Sequence, residues 1–185
     1  MFLALAVLAF VALHLIPAFP GLKSGLKARF GAAWGPGFGV ASLLLLGLVI
    51  YGWATRDFIP VYEPPVWGRH VTFSFVLIAF LMLGIWLFRG SYRQAIRFPF
   101  AIAAMFWGAG HLFVRGDQAS LTLFGGLALY GLAHLLIGLA NGIRPEPVVR
   151  KGHNLLSLIM GLALYGAMTQ LHPILIGVPV LTLTH

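Results

Sequence analysis

The sequence contains no cysteine among its 185 residues. This absence excludes disulfide bonds, thiolate metal sites and covalent chemistry that passes through sulfur. Charged side chains are also scarce, since they make up 9% of the chain, whereas 60% of the residues are hydrophobic. Such a composition lies far outside the range of soluble domains and is typical of a membrane protein.

Acidic side chains are the rarest charged groups, because the chain has 12 Lys and Arg residues but only 4 Asp and Glu residues. In a soluble protein, the net charge of +8 would suggest binding to nucleic acid. Here the basic residues lie in short connectors between apolar runs, where they anchor a membrane protein at the cytoplasmic surface. We therefore expect the partner to be a lipid bilayer and not nucleic acid.

The apolar residues form six uncharged runs, each close to the roughly 20 residues that a helix needs to cross the hydrocarbon core. Backbone polar groups must be paired within lipid, and the runs lack the alternation of barrel strands, so only helices fit. The predicted fold class is all-α, a polytopic bundle of six transmembrane helices that forms a single domain over residues 1–185. The predicted helices are 2–19, 37–55, 71–88, 98–114, 119–140 and 154–172.

The basic residues alternate between the connectors. Nine Lys and Arg residues follow the first, third and fifth predicted helices, and three lie in the other two connectors. This pattern predicts that the first set faces the cytoplasm and that both chain termini lie on the opposite side. No basic residue precedes the first apolar run, so residues 1–20 are expected to remain as a helix and not to be cleaved as a signal peptide.

Two outer connectors carry features of their own. The longest, residues 55–70, contains prolines that disfavour a regular helix, together with Tyr62 and Trp67, which suit the headgroup zone. We expect it to be an interfacial lid without chemistry. In the other connector, the spacing of Asp117 and Ser120 predicts that the carboxylate caps the fifth helix.

Three histidines, His14, His111 and His134, fall in the interior of the predicted spans, whereas His172 lies at the outer end of the last one. At about 1.5 Å of rise per residue, His14 and His134 lie almost level, whereas His111 lies roughly 13 Å nearer the outer surface than His14. A buried imidazole faces the bundle interior, because facing lipid without a partner costs free energy. Either the rings fasten helices through hydrogen bonds, or they ligate haem iron, since the spans contain no carboxylate for a proton or cation pathway.

Three stretches resemble motifs of the NnrU family. Residues 107–126, which include Gly-Ala-Gly-His-Leu-Phe-Val-Arg-Gly-Asp, are similar to its central signature. His14 with the Pro-Gly-Leu run at residues 20–22 resembles its amino-terminal motif, and residues 171–177 resemble its carboxy-terminal end. The resemblance implies a multi-pass protein of the bacterial inner membrane that supports nitrite and nitric oxide reduction in denitrification.

The family is also similar to the plant cis-zeta-carotene isomerase, a membrane enzyme that holds haem b. By motif position, the resemblance implies that His14 and His111 ligate the haem iron and that His134 also belongs to the haem-binding site. Because His134 is level with His14, it is the rival ligand. Two positions depart from the relatives: Gly108 replaces a cysteine of the isomerase, and Phe98 replaces a histidine that is common in the NnrU family.

Three functional hypotheses follow. In the first, haem b performs redox or ligand chemistry connected with nitrite and nitric oxide. In the second, a haem-dependent enzyme isomerises the double bonds of a lipid-soluble polyene. In the third, the protein is a transporter or assembly factor without haem, and its histidines only join helices.

Overall fold

The apolar runs all form helices. The structure, a computed structural model, describes residues 1–144 and 149–180. No strand occurs in these two ranges, which confirms the predicted all-α class. The helices are α1 (Phe2–Leu15), α2 (Pro20–Phe30), α3 (Trp34–Ala54), α4 (Gly68–Leu87), α5 (Ser91–Ile96), α6 (Pro99–Leu112), α7 (Gln118–Ala140) and α8 (His153–Ile176).

Four helical stretches are long and apolar enough to cross a membrane by length and composition. They are Pro20–Ala54, which includes α3, together with α4, α7 and α8. The other two predicted spans, α1 and α6, have 14 residues each and are shorter than the hydrocarbon core requires. Helix α1 ends at Leu15 and continues as a 3₁₀ turn, Ile16–Ala18, because Pro17 lacks a backbone N–H and restricts the residue before it.

Two helices lie in stretches that were expected to be connectors. Helix α2 follows α1, and the short helix α5 precedes α6. Gly31 separates α2 from α3 with a φ of 54°, a backbone conformation that other residues rarely adopt. The chain can therefore change direction between these two helices.

The long helices pack side by side in an open row. Their most extensive contacts order them as α3, α1, α7, α6, α4 and α8. The two helices at the ends of the row, α3 and α8, bury little of their surface within the chain. Lipid tails are as apolar as leucine, so a bilayer can cover these exposed faces without loss of free energy.

The helices terminate on two opposite sides of the row, and these two sides differ in charge. We call the end that carries residues 16–33, 88–98, 141–144 and 149–152 the basic end, because nine Lys and Arg residues lie there. The opposite end carries residues 55–67 and 113–117, and we call it the connector end. The alternation of charge that the sequence showed is therefore a difference between the two ends of one helical row.

Glycines let neighbouring helices approach closely. At the contact between α4 and α8, a Cβ at Gly161 would lie 2.8 Å from the carbonyl oxygen of Phe80 and 2.9 Å from the Cα of Leu81. At the contact between α6 and α7, a Cβ at Gly131 would lie 2.6 Å from the backbone nitrogen of Met105. Small residues at these points replace side-chain layers with direct backbone contact, which is a common way of joining helices in lipid.

Gly161→Ala is expected to destabilise the protein by about 1–3 kcal/mol, because the added methyl group would force α8 away from α4. Gly166→Ala on the same helix is the matched control, since a Cβ there meets nothing within 4 Å. The control should be neutral or stabilising by up to about 1 kcal/mol, because Ala favours a helix more than Gly does. Unfolding in detergent by denaturant titration measures both, and equal stabilities would contradict the close contact.

Candidate functional site

His14 and His111 are held by the same local arrangement. Nδ1 of His14 lies 2.8 Å from the carbonyl oxygen of Phe10, and Nδ1 of His111 lies 2.7 Å from that of Trp107. A carbonyl oxygen can only accept, so each Nδ1 is the donor, and Nε2 of the neutral ring keeps its lone pair. Within residues 1–144 and 149–180, neither Nε2 makes a hydrogen bond. Both rings thus present the nitrogen that an iron ligand needs.

His111 belongs to an aromatic cluster near the connector end. Its ring stacks on Phe124 with centroids 4.5 Å apart and planes 15° apart, and it also contacts Trp107 at 4.6 Å. Trp53 reaches Phe124 from α3 at 5.5 Å. Phe124 lies in a widened π-helical turn of α7, Leu121–Gly125, which presents the ring between α3 and α6. We call Trp53, Trp107, His111 and Phe124 the connector-end cluster.

His14 and His134 belong to a second cluster, nearer the basic end. The His14 ring stacks on Phe10 at 4.0 Å, and both His14 and His134 contact Tyr130, at 6.2 and 5.6 Å. Tyr130 thus lies against both imidazole rings. We call Phe10, His14, Tyr130 and His134 the basic-end cluster. It joins α1 to α7.

His134 has a buried nitrogen that lacks a partner. Its Nδ1 makes no hydrogen bond with any of the described residues. The ring of Phe98 contacts His134 at 6.0 Å, and the same ring packs closely on Gly138. Burying an unpaired ring nitrogen costs free energy, so such a group in a folded protein calls for an explanation such as a bound ligand.

The structure brings two of the three predicted site residues together. His14 and His134 are neighbours, in agreement with the estimate that they lie level in the membrane. The ring contacts of His111 share no residue with those of His14. Its partner Phe124 precedes His134 by ten residues on α7, or about 15 Å along the helix. His111 therefore lies against a different level of α7.

A hydrogen bond fastens the end of α7 to the turn that follows His14. Nδ2 of Asn141 donates to the carbonyl oxygen of Ala18 over 2.9 Å, and Ala18 is completely buried. The 3₁₀ turn created by Pro17 places that carbonyl beyond the end of α1. This bond holds His14 at the level of His134.

A bare metal ion finds no cage in the part of the chain that the structure describes. No three His, Asp or Glu side chains converge there as ligands. Haem is a different case, because the porphyrin supplies four nitrogens and the protein adds only axial ligands. Single imidazoles with a free Nε2 are the donors that such a group requires.

At the connector end, a buried carboxylate organises the turn between α6 and α7. Asp117 is only 2% exposed, and it accepts hydrogen bonds from the backbone N–H of Ser120 at 3.0 Å and from its hydroxyl group at 2.6 Å. This geometry confirms the predicted cap. Nε of Arg115 lies 3.6 Å from the same carboxylate. Burial alone would raise the pKa of Asp117, but the Ser120 hydrogen bonds and the charges of Arg115 and Arg56 outweigh burial and lower it.

Arg56 was not recognised as a structural residue from the sequence. Its guanidinium lies over the ring of Trp53, 3.6 Å from the centroid, and also bonds the Trp53 carbonyl group. Desolvation by burial, followed by the charge of Arg115, lowers the pKa of Arg56, whereas Asp117 opposes the shift. The only signal in the sequence was the spacing of three residues between Trp53 and Arg56, which is too common to be informative.

The long connector is fastened across the α6–α7 turn. The backbone N–H of Val61 donates to the carbonyl oxygen of Gly116, and that of Gln118 donates to the carbonyl oxygen of Ile59, both over 2.8 Å. The single proton of the Tyr62 hydroxyl group can be donated to the carbonyl oxygen of Arg115, at 2.9 Å, or to that of Leu112. A side chain at Gly116 would collide with the Tyr62 carbonyl group, so glycine is required there. The expected lid is thus a segment hydrogen-bonded to the turn beside Asp117.

Four helices long and apolar enough to cross a membrane indicate a polytopic membrane protein. The family model for NnrU protein matches residues 2–180, so the chain belongs to the NnrU family and the resemblance seen in its motifs is confirmed. No curated protein and no solved structure matches the chain.

Asp117→Asn is expected to loosen the long connector, because the amide cannot balance the charges of Arg56 and Arg115. We expect a loss of about 1–3 kcal/mol from the removal of a charged acceptor. Hydrogen exchange at the amides of Val61 and Tyr62 measures the effect. Asp57→Asn, at an exposed position of the same connector, is the control, and equal exchange in the two variants would contradict a structural role for Asp117.

The same amides should respond to pH in the wild-type protein. Because the pKa of Asp117 is lowered in the folded protein, its contribution to stability is complete above the usual carboxyl pKa. It is lost as the pH falls below that value and through the lowered pKa. Protection should therefore be constant from neutral pH to about pH 5 and decrease only under more acidic conditions, after correction for intrinsic exchange rates. A decrease near neutral pH would show that another group controls the connector.

Proposed function

We propose that this NnrU-family protein holds haem b within the membrane and that the haem supports nitrite and nitric oxide reduction. The observation that carries this proposal is the matched pair of imidazoles, His14 and His111. In each, Nδ1 donates to the carbonyl group four residues earlier, and Nε2 stays available. Axial ligation of haem iron through Nε2 needs this tautomer.

The donor set fits the cofactor at the level of its chemistry. Among the described residues, the ring and hydrogen-bond contacts of the three histidines include no carboxylate, and aromatic rings lie beside each imidazole. An apolar setting of this kind accommodates the face of a porphyrin. When bound, haem b would supply reversible one-electron chemistry and a binding place for a small ligand such as nitric oxide.

The ligand assignment is His14 and His111, with His134 as the rival partner of His14. The family correspondence favours His111, and its Nδ1 bond to Trp107 prepares it for ligation. Contact geometry favours His134, which lies beside His14 and has an unpaired Nδ1. Phe98, whose ring contacts His134 at 6.0 Å, occupies the position where NnrU relatives often have a histidine.

The membrane arrangement that accompanies this function has six spans in the bacterial inner membrane. Helix α1 is extended by the turn Ile16–Ala18, and α6 is enclosed between α4 and α7. The 14-residue length of each helix therefore need not equal the thickness of the hydrocarbon core. The basic end is proposed to face the cytoplasm, since nine of the twelve Lys and Arg residues lie there. Both termini would then lie on the periplasmic side.

The cysteine of the related isomerase would not fit at Gly108 without movement of the helices. A Cβ at this position would lie 2.7 Å from the backbone nitrogen of Ala128 on α7. The contact of Gly108 with α7 thus weighs against isomerase chemistry that uses sulfur, and we place redox or ligand chemistry first.

Absorption spectra of the purified protein test the proposal. Protein made with ample haem should show a Soret band, and reduction with dithionite should sharpen the visible bands. His14→Ala should lower the haem content at least about tenfold, because loss of even an outer partner of a metal ligand costs roughly 10–100-fold in affinity. His111→Ala and His134→Ala identify the second ligand, since only the true ligand should match His14→Ala.

His70→Ala is the control, because His70 is exposed and lies at the start of α4, outside both clusters. Its haem content should equal that of the wild-type protein. A colourless wild-type protein would refute haem binding and favour histidines that only join helices. Equal haem in all four variants would refute ligation of the iron by His14, His111 and His134. Nitric oxide binding to the reduced protein and the isomer ratio of an added carotenoid then separate ligand chemistry from isomerisation.

A further inference from the structure

Helix α2 carries three positive charges and no negative one. Lys23, Lys27 and Arg29 lie within its 11 residues, and none of these residues is buried. Its most extensive contacts are with the turns on either side of it and the adjoining part of α3. Most of its surface is thus free of protein contacts within the described residues.

The apolar residues of α2 form one stripe. Leu22, Leu26 and Phe30 recur every four residues and therefore lie on one face of the helix. Leu22 is 51% exposed and Phe30 is 52% exposed, whereas Leu26 between them is partly buried, so the chain leaves the two ends of this stripe uncovered. A helical projection places Lys23 and Lys27 on one border of the stripe and Arg29 on the other.

The length of the helical stretch keeps α2 out of the hydrocarbon core. The stretch Pro20–Ala54 has 35 residues and would be about 52 Å long if straight, whereas the core is about 30 Å thick. Helix α3 is long enough to fill the core by itself, with 21 residues. The positive φ at Gly31 permits a bend between the two helices, so α2 can leave the direction of α3 at the basic end.

We propose that α2 lies in the plane of the membrane surface at the basic end and binds anionic phospholipids. Its apolar stripe enters the boundary between headgroups and acyl chains, while its three cations contact lipid phosphates. An apolar face bordered on both sides by Lys and Arg is the pattern of interfacial helices, because the long side chains reach from the apolar zone to the headgroups. Charge complementarity selects an anionic surface, since α2 contains no acidic residue.

The absence of cysteine allows labels to be placed one at a time. Leu26→Cys puts a nitroxide on the apolar stripe, and Ser24→Cys puts one on the small, polar side of the same helix. The full-length protein is reconstituted into bilayers of phosphatidylcholine, with or without phosphatidylglycerol. Frequent collision of the label with oxygen shows that the label lies in lipid. Frequent collision with a water-soluble nickel chelate shows that it lies in water. We expect the label at Leu26 to lie about 5–10 Å below the surface when phosphatidylglycerol is present, and the label at Ser24 to stay in water.

Spin-labelled phosphatidylglycerol measures the contribution of the charges. The triple variant K23Q/K27Q/R29Q should lose up to about fivefold per charge in its preference for this lipid over phosphatidylcholine. The charge-conserving variant K23R/K27R/R29K is the matched control and should keep the preference. High salt should weaken the wild-type preference, because surface charges are screened.

Three results would overturn the proposal. Equal contact of the Leu26 and Ser24 labels with the nickel chelate in both bilayers would place α2 in water. Exclusion of both reagents from the label at Leu26 would show that protein covers the stripe. An unchanged lipid preference in K23Q/K27Q/R29Q would show that the phospholipid recognition lies elsewhere. None of these measurements depends on haem.

Discussion

The structure depends on one constraint, which is that polar groups inside lipid must find partners within the protein. The backbone meets this constraint by forming helices. Two of the histidines meet it by bonding to the backbone of their own helices. His14 and His111 each donate Nδ1–H to the carbonyl oxygen four residues earlier, which still has a free lone pair for this bond. These bonds pair Nδ1 of each ring and leave Nε2 without a hydrogen bond among the described residues.

The connector end and the basic end are held together by different interactions. At the connector end, one buried carboxylate, Asp117, holds the turn, and Arg115 lies beside it. At the basic end, the charges stay on the surface, and the site below them is built from rings and from the bond between Asn141 and Ala18. The connector end is therefore sensitive to the charge of a buried group, whereas the basic end is suited to a charged membrane surface.

Much of the fold follows from local sequence, because helix formation in lipid depends on runs of apolar residues. All six predicted runs contain a helix, and the cap at Asp117 follows from a spacing of three residues. The boundaries of α1 and α6 were predicted too long, in the case of α1 because Pro17 ends the regular helix early. Helices α2 and α5 were missed because basic, glycine-containing connectors resemble loops when only hydropathy is considered.

The sequence by itself determined the all-α class, the membrane setting, the charge difference between the two ends and the three histidines that a cofactor could use. Only the tertiary structure decided which histidines meet. His14 and His134 are 120 positions apart in the chain, and they become neighbours because α1 packs on α7. The choice of neighbour depends on glycine contacts and ring packing between distant helices, and hydropathy along the chain does not record these interactions.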